Sequence, residues 1–133
     1  MPFHRKGCRI VVVDDFPAWR DTLRQVLSRP GWRLVGEARD GPGAIAKASQ
    51  IQPDIVILDI GMPGINGIEV AKQIRRNCPQ TRIIFLTQQT DEDIMEAAIA
   101  AGASAYVLKS KAFTDLSRAI AAALQDAAAT LPS

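Results

Sequence analysis

The sequence predicts an α/β fold built on an open parallel sheet, and three observations carry the prediction. Short apolar runs recur five times, and a helical pattern follows each of them. Such alternation argues for parallel strands joined by right-handed crossovers, with helices on both faces. Four of the runs end on a polar or charged residue, and in open α/β sheets ligands bind at that end of the strands. The third observation is the stretch 55–67. Four apolar residues lead to the lone carboxylate of Asp59, and Gly61, Pro63, Gly64 and Gly67 then keep the backbone irregular. A carboxylate at the tip of a buried strand is costly unless something uses it.

The elements follow in order. Residues 9–13 form a β-branched run, read as a buried strand, with Asp14 and Asp15 directly after it. Pro17 suits a first helical turn, and Trp19, Leu23, Val26 and Leu27 make an apolar stripe to about Ser28. Residues 32–38 read as a second strand of imperfect alternation and more polar character, placed at a sheet edge. The cluster 40–43 reads as a turn, and 44–51 as a weaker second helix. The central strand is 55–58. A third helix runs from Ile68 to near Asn77, and the fourth strand, 82–86, leads to Thr87. Thr90 is the expected N-cap of an Ala-rich fourth helix that stops at Gly102, with Asp91, Glu92 and Asp93 in its first turn. Residues 103–108 form a fifth strand ending on Lys109, and a fifth helix starts at Thr114. Five strands fit the flavodoxin-like order 2-1-3-4-5, which leaves the more polar second strand at an edge.

Length and composition bound the function. A chain of 133 residues with 47% hydrophobic and 23% charged residues suits one domain with a real core. The boundaries read as a tail at 1–8, a domain at 9–126, and a tail or the start of a linker at 127–133. A net charge of +2 does not argue for nucleic acid, and the basic start with His4 reads as a solvated tail. Cys8 and Cys78 form no metal-binding or disulfide pattern and suit a reducing cytoplasm. No apolar run approaches the roughly 18 residues of a membrane span. No secretory signal follows the basic start.

The strand ends converge. Asp14, Asp15, Asp59, Thr87 and Lys109 should share one pocket at the carboxyl edge of the sheet. Clustered carboxylates repel unless a cation intervenes. Lys109 supplies one charge, and a hard divalent ion such as Mg2+ would supply two more. Asp15, Asp59 and the Gly61 carbonyl could ligate Mg2+ directly, with Asp14 helping through water. Such a pocket can stabilise a phosphoryl group moving onto a carboxylate, with Asp59 as nucleophile and Thr87 and Lys109 on the phosphoryl oxygens.

These residues carry a resemblance to a known family. The Asp14-Asp15 pair, Asp59 with Met-Pro-Gly-Ile-Asn-Gly close behind, Thr87, and Tyr106 three residues before Lys109 resemble the receiver domain of bacterial two-component response regulators. The loop sequence and the segment 102–106 look most like receivers that precede helix-turn-helix DNA-binding domains. The resemblance implies that a sensor histidine kinase or phosphotransfer protein passes a phosphoryl group to Asp59. It also implies that Thr87 and Tyr106 report the event to the surface of the fourth helix, fifth strand and fifth helix. Homodimerisation on activation and a DNA-binding output domain beyond residue 133 fit this picture. Direct nucleic-acid contact by the domain itself does not, nor does a membrane role or an enzymatic one beyond self-phosphorylation and slow autodephosphorylation.

Two departures stand out. Ser110 follows Lys109 where many receivers have a cis proline, so a cis bond there would cost about 3 kcal/mol. Gly61 has no side chain to cover the phosphoryl group, a task that Gln89 could share. Phe16, Pro17 and Ala18 flank the pocket as a kinase-docking candidate. Two other readings compete. A flavin binder would need a Gly/Ser/Thr-rich loop after the first strand, where this chain has two acids. A degenerate receiver, acting as an unphosphorylated interaction module, would not need all five pocket residues.

Overall fold

A computed structural model describes residues 7–62, 64 and 66–129, with side chains as far as Gln125. His4, Pro63, Ile65 and the stretch 130–133 lie outside the described residues. The elements are β1 (Cys8–Val13), α1 (Pro17–Val26), β2 (Trp32–Ala38), α2 (Gly41–Ile51), β3 (Ile55–Leu58), α3 (Gly67–Asn77), β4 (Arg82–Thr87), α4 (Glu92–Ala100), β5 (Ala105–Leu108) and α5 (Ala112–Ala129). The five strands form one parallel sheet in the order β2-β1-β3-β4-β5. This is the expected flavodoxin-like topology.

The period of two along each strand divides the core into two layers. Val11, Val13, Val56, Leu58, Ile83 and Phe85 face one side, against Ala44 and Ala48 of α2, Val70, Ala71 and Ile74 of α3, and Ala98 of α4. Ile10, Val12, Ile55, Ile57, Ile84 and Leu86 face the other, against Leu23 of α1 and Leu116, Ile120 and Ala123 of α5. The three central strands are therefore apolar on both faces, as parallel strands covered twice must be. The edge position of β2 explains its polar character. Its imperfect alternation has a local cause: Ile10 pairs with Leu34 but Val11 pairs with Gly36, so Val35 is an extra residue at a bulge.

Several boundaries differ from the sequence reading. Cys8, read as the end of a tail, is buried as the first residue of β1, where it pairs with Trp32. The cluster 40–43 is not a separate turn but the first turn of α2. Asp40 caps that helix, its carboxylate accepting the Gly43 N–H at 2.7 Å, and Pro42 stands where no helical N–H is required. The cap of α4 is Asp91 rather than Thr90; Asp91 accepts the N–H groups of Asp93 and Ile94. A carboxylate outcompetes a hydroxyl there because the helix dipole favours its charge. The fifth helix begins at Ala112, two residues before Thr114, because the chain passes from β5 through a single 3-10 turn at Lys109–Lys111. The Lys109-Ser110 bond is trans, since no described peptide bond is cis. Among the described residues no helix is long and apolar enough to cross a membrane.

Candidate functional site

The site forms where β1, β3, β4 and β5 end together. Parallel pairing sets Val13 beside Leu58 and Thr87 beside Leu108. The residues after these ends therefore meet at one edge of the sheet. Asp14, Asp59, Thr87 and Lys109 are all buried, while Asp15 is half-buried. Carboxylate oxygens of Asp14, Asp15 and Asp59 lie within 4.8 Å of one another.

Lys109 joins two of the acids. Its Nζ stands 2.7 Å from Asp14 Oδ2 and 3.1 Å from Asp59 Oδ2, and only 4% of its side chain is exposed. Two buried carboxylates would repel each other, and the ammonium between them offsets that repulsion. Both remaining oxygens serve the backbone: Asp14 Oδ1 accepts the Phe16 N–H at 2.9 Å, and Asp59 Oδ1 accepts the Gly61 N–H at 3.0 Å. Each acid thereby shapes the loop that follows its own strand.

The two expected reporter residues meet at one peptide segment. The Gln89 N–H donates to Thr87 Oγ1 at 3.3 Å, and the Tyr106 hydroxyl donates to the Gln89 carbonyl at 2.8 Å. The Tyr106 ring lies 6.3 Å from Phe85, tilted at 49°. Burial, and then the charges of Asp59 and Asp91, push the Tyr106 hydroxyl above its ordinary pKa of 10.0. A Cβ placed on Gly61 would sit 3.7 Å from Asp59 Oδ1 and 3.9 Å from Gln89 Nε2, so the Gln89 amide does stand on the side that Gly61 leaves open.

The structure brings together Asp14, Asp15, Asp59, Gly61, Thr87 and Lys109, with Tyr106 linked through Gln89. Two neighbours escaped the sequence reading. The Trp19 ring centroid lies 5.0 Å from Lys109 Nζ. Arg20 donates from Nη1 to the Asp14 carbonyl at 2.7 Å and pairs with Glu37 at 3.5 Å. In sequence, Trp19 belonged to the apolar stripe of α1 and Arg20 to its polar side. A signal was available in the spacing, because Trp19 falls one helical turn after Asp15 and long side chains lean toward the helix N-terminus.

The donor set fits a hard divalent cation. It offers carboxylate oxygens within a few ångströms of one another and no sulfur or imidazole. Lys109 pairs with Asp14 and Asp59, and no ion pair with Asp15 is seen among the described residues.

Comparison with known proteins agrees with this geometry. The family described as response regulator receiver domain matches residues 10–121. Chemotaxis protein CheY of Thermotoga maritima is 35% identical over 103 residues, covering 77% of this chain and 86% of that protein. The transcriptional regulatory protein LiaR of Bacillus subtilis is 36% identical over 116 residues, covering 86% of this chain and 55% of that protein. The chain thus spans little more than half the length of the transcriptional relative. A crystal structure of a LuxR-family two-component response regulator from Aurantimonas sp. aligns with a TM-score of 0.85 at 37% identity, over 90% of this chain and 86% of that one. Sheet order, matched length and likeness in sequence and structure agree, and the chain belongs to the response regulator receiver domain family.

Proposed function

We propose that Asp59 accepts a phosphoryl group from a phosphohistidine of a sensor histidine kinase or phosphotransfer protein. The observation that carries this reading is the shared Lys109 ammonium, held between Asp14 and Asp59 at the ends of two adjacent strands. An ammonium so placed can pass to a phosphoryl oxygen while staying close to both acids. In the transfer a bond forms between an Asp59 oxygen and phosphorus, the phosphorus–nitrogen bond breaks, and its electron pair leaves with the imidazole. Thr87 donates its hydroxyl to a second phosphoryl oxygen. Asp15, Asp59 and the Gly61 carbonyl would hold Mg2+, with Asp14 assisting through water, and the bound ion would supply neutralisation of oxygen charge.

The consequence is carried outward through Gln89. When the Thr87 hydroxyl turns to the phosphoryl group, it gives up the Gln89 N–H. The Gln89 carbonyl is the acceptor of the Tyr106 hydroxyl, so the ring and the face of α4, β5 and α5 respond together. We further propose that this face controls a partner, a second copy of the chain, or a DNA-binding output domain following residue 133, in the cytoplasm. Phe16, 58% exposed beside the acid pair, suits the docking side for the phosphoryl donor.

The test uses acetyl phosphate as donor. With Mg2+ the protein should give an acyl-phosphate band on a phosphate-affinity gel, and without Mg2+ it should not. Asp59→Asn should abolish the band. An unchanged band in that variant would overturn the assignment of Asp59. A wild-type protein that binds Mg2+ yet never labels would instead favour an unphosphorylated interaction module.

A further inference from the structure

Three groups lie against the Lys109 ammonium: the carboxylates of Asp14 and Asp59, and the face of the Trp19 indole, whose centroid is 5.0 Å away. The three contacts differ in kind. The carboxylates are shared, because any cation or phosphoryl group that enters the site changes their charge balance. The indole is not shared, since it has no oxygen to offer a hard cation. A cation over a tryptophan face is attracted by the ring quadrupole, and more strongly when water is excluded. Here the lysine side chain is only 4% exposed.

The surroundings extend this contact. A cavity of about 270 Å³ opens beside the site, lined by Trp19, Gln88, Thr90, Leu108, Lys109 and Ser110. Trp19 and Lys109 stand on its wall together. Trp19 also packs against the core layer that α1 and α5 share. The ring is thus anchored on its apolar side and presents its face to the ammonium. Lysine has a long flexible stem, and holding it in one geometry costs conformational entropy.

We propose that Trp19 is a positioning residue for phosphoryl transfer, and that its indole face keeps the Lys109 ammonium aimed into the site when the carboxylates are engaged elsewhere. This rests on Asp59 being the phosphoryl acceptor. A structural role alone would make Trp19 a wedge between α1 and the sheet. Any large apolar side chain would then serve.

Two substitutions separate the roles. Trp19→Leu keeps apolar bulk and loses the aromatic face; Trp19→Phe keeps a face. Labelling of Asp59 by acetyl phosphate at saturating Mg2+ should slow about tenfold in Trp19→Leu and no more than about threefold in Trp19→Phe. Equal rates in the two variants, with the labelling of wild type intact, would overturn the proposal and leave Asp59 as acceptor. An unlabelled wild-type protein would remove both readings. A second measurement leaves Trp19 itself intact. Trp32 is the other tryptophan of the chain, against Arg29. In a Trp32→Phe protein the indole of Trp19 is the sole reporter. Adding beryllofluoride to the Mg2+-saturated protein should leave its emission little changed, because the ammonium stays over the ring, whereas Lys109→Met should shift it. An emission that beryllofluoride shifts as far as Lys109→Met does, with binding confirmed by a raised melting temperature, would overturn the proposal.

Discussion

Both carboxylate oxygens of Asp14 are engaged, one by Lys109 and the other by the Phe16 N–H, and its carbonyl accepts Arg20. One residue therefore sets the position of a loop, a helix and a cation. A strand-end acid was legible in sequence because the apolar run stops there. The roles of Trp19 and Arg20 were not, because they depend on how α1 lies against β1. Cys8 shows the same limit. As a letter before a strand it suggested only an unpaired thiol, yet burial, with the nearby charge of Asp54, pushes its thiol from 9.0 up to about 12. The folded chain holds that proton more tightly than the unfolded chain does. Stability from this group is complete below pH 9.0 and is lost as pH rises toward 12, at no more than about 1.4 kcal/mol per pH unit. Urea unfolding from pH 8 to 11 should show that decline, and Cys8→Ala should flatten part of it. A decline of the same slope in Cys8→Ala would assign it to other groups.

At the level of elements, loops and helix starts place the chemistry. The Gly/Pro stretch after β3 was legible as irregular backbone, but the demand for glycine at position 67 was not. Gly67 opens α3 pressed against the preceding loop, and a Cβ there would lie 2.6 Å from the Ile60 Cα and 2.9 Å from the Asp59 carbonyl oxygen. Those atoms are backbone, so they yield only if the loop that carries Asp59 and Gly61 moves. Gly67→Ala should cost about 1–3 kcal/mol of stability. It should also weaken Mg2+ binding, measured as a smaller rise in melting temperature. A variant with unchanged stability and unchanged Mg2+ response would show that the loop is not held by this contact. The starts of α2 and α5 were misread for a related reason. A Gly/Pro cluster suits a loop and a helix's first turn alike, so a cap at Asp40 or a 3-10 turn after β5 decides the outcome.

At the level of the whole molecule, the topology was readable because alternation and right-handed crossovers leave few arrangements. Convergence of the strand ends followed from the same argument, but the distances did not. Nothing in a sequence sets Nζ at 2.7 Å from one acid and 3.1 Å from another. If the cluster of Asp14, Asp15 and Asp59 binds Mg2+ only when folded, the ion should stabilise the chain. At ten times the dissociation constant the gain is about 1.4 kcal/mol, or about 5 °C in melting temperature. No shift at millimolar Mg2+ would count against the site. The reach of the site along the chain has a further consequence. Asp14 follows the first strand and Lys109 follows the last, so no shorter stretch holds the full set of groups. A ribosome-bound chain that has not yet released β5 has its acceptor acid without its ammonium. It should be deaf to phosphoryl donors, and acquiring the mark should certify that the entire sheet has closed.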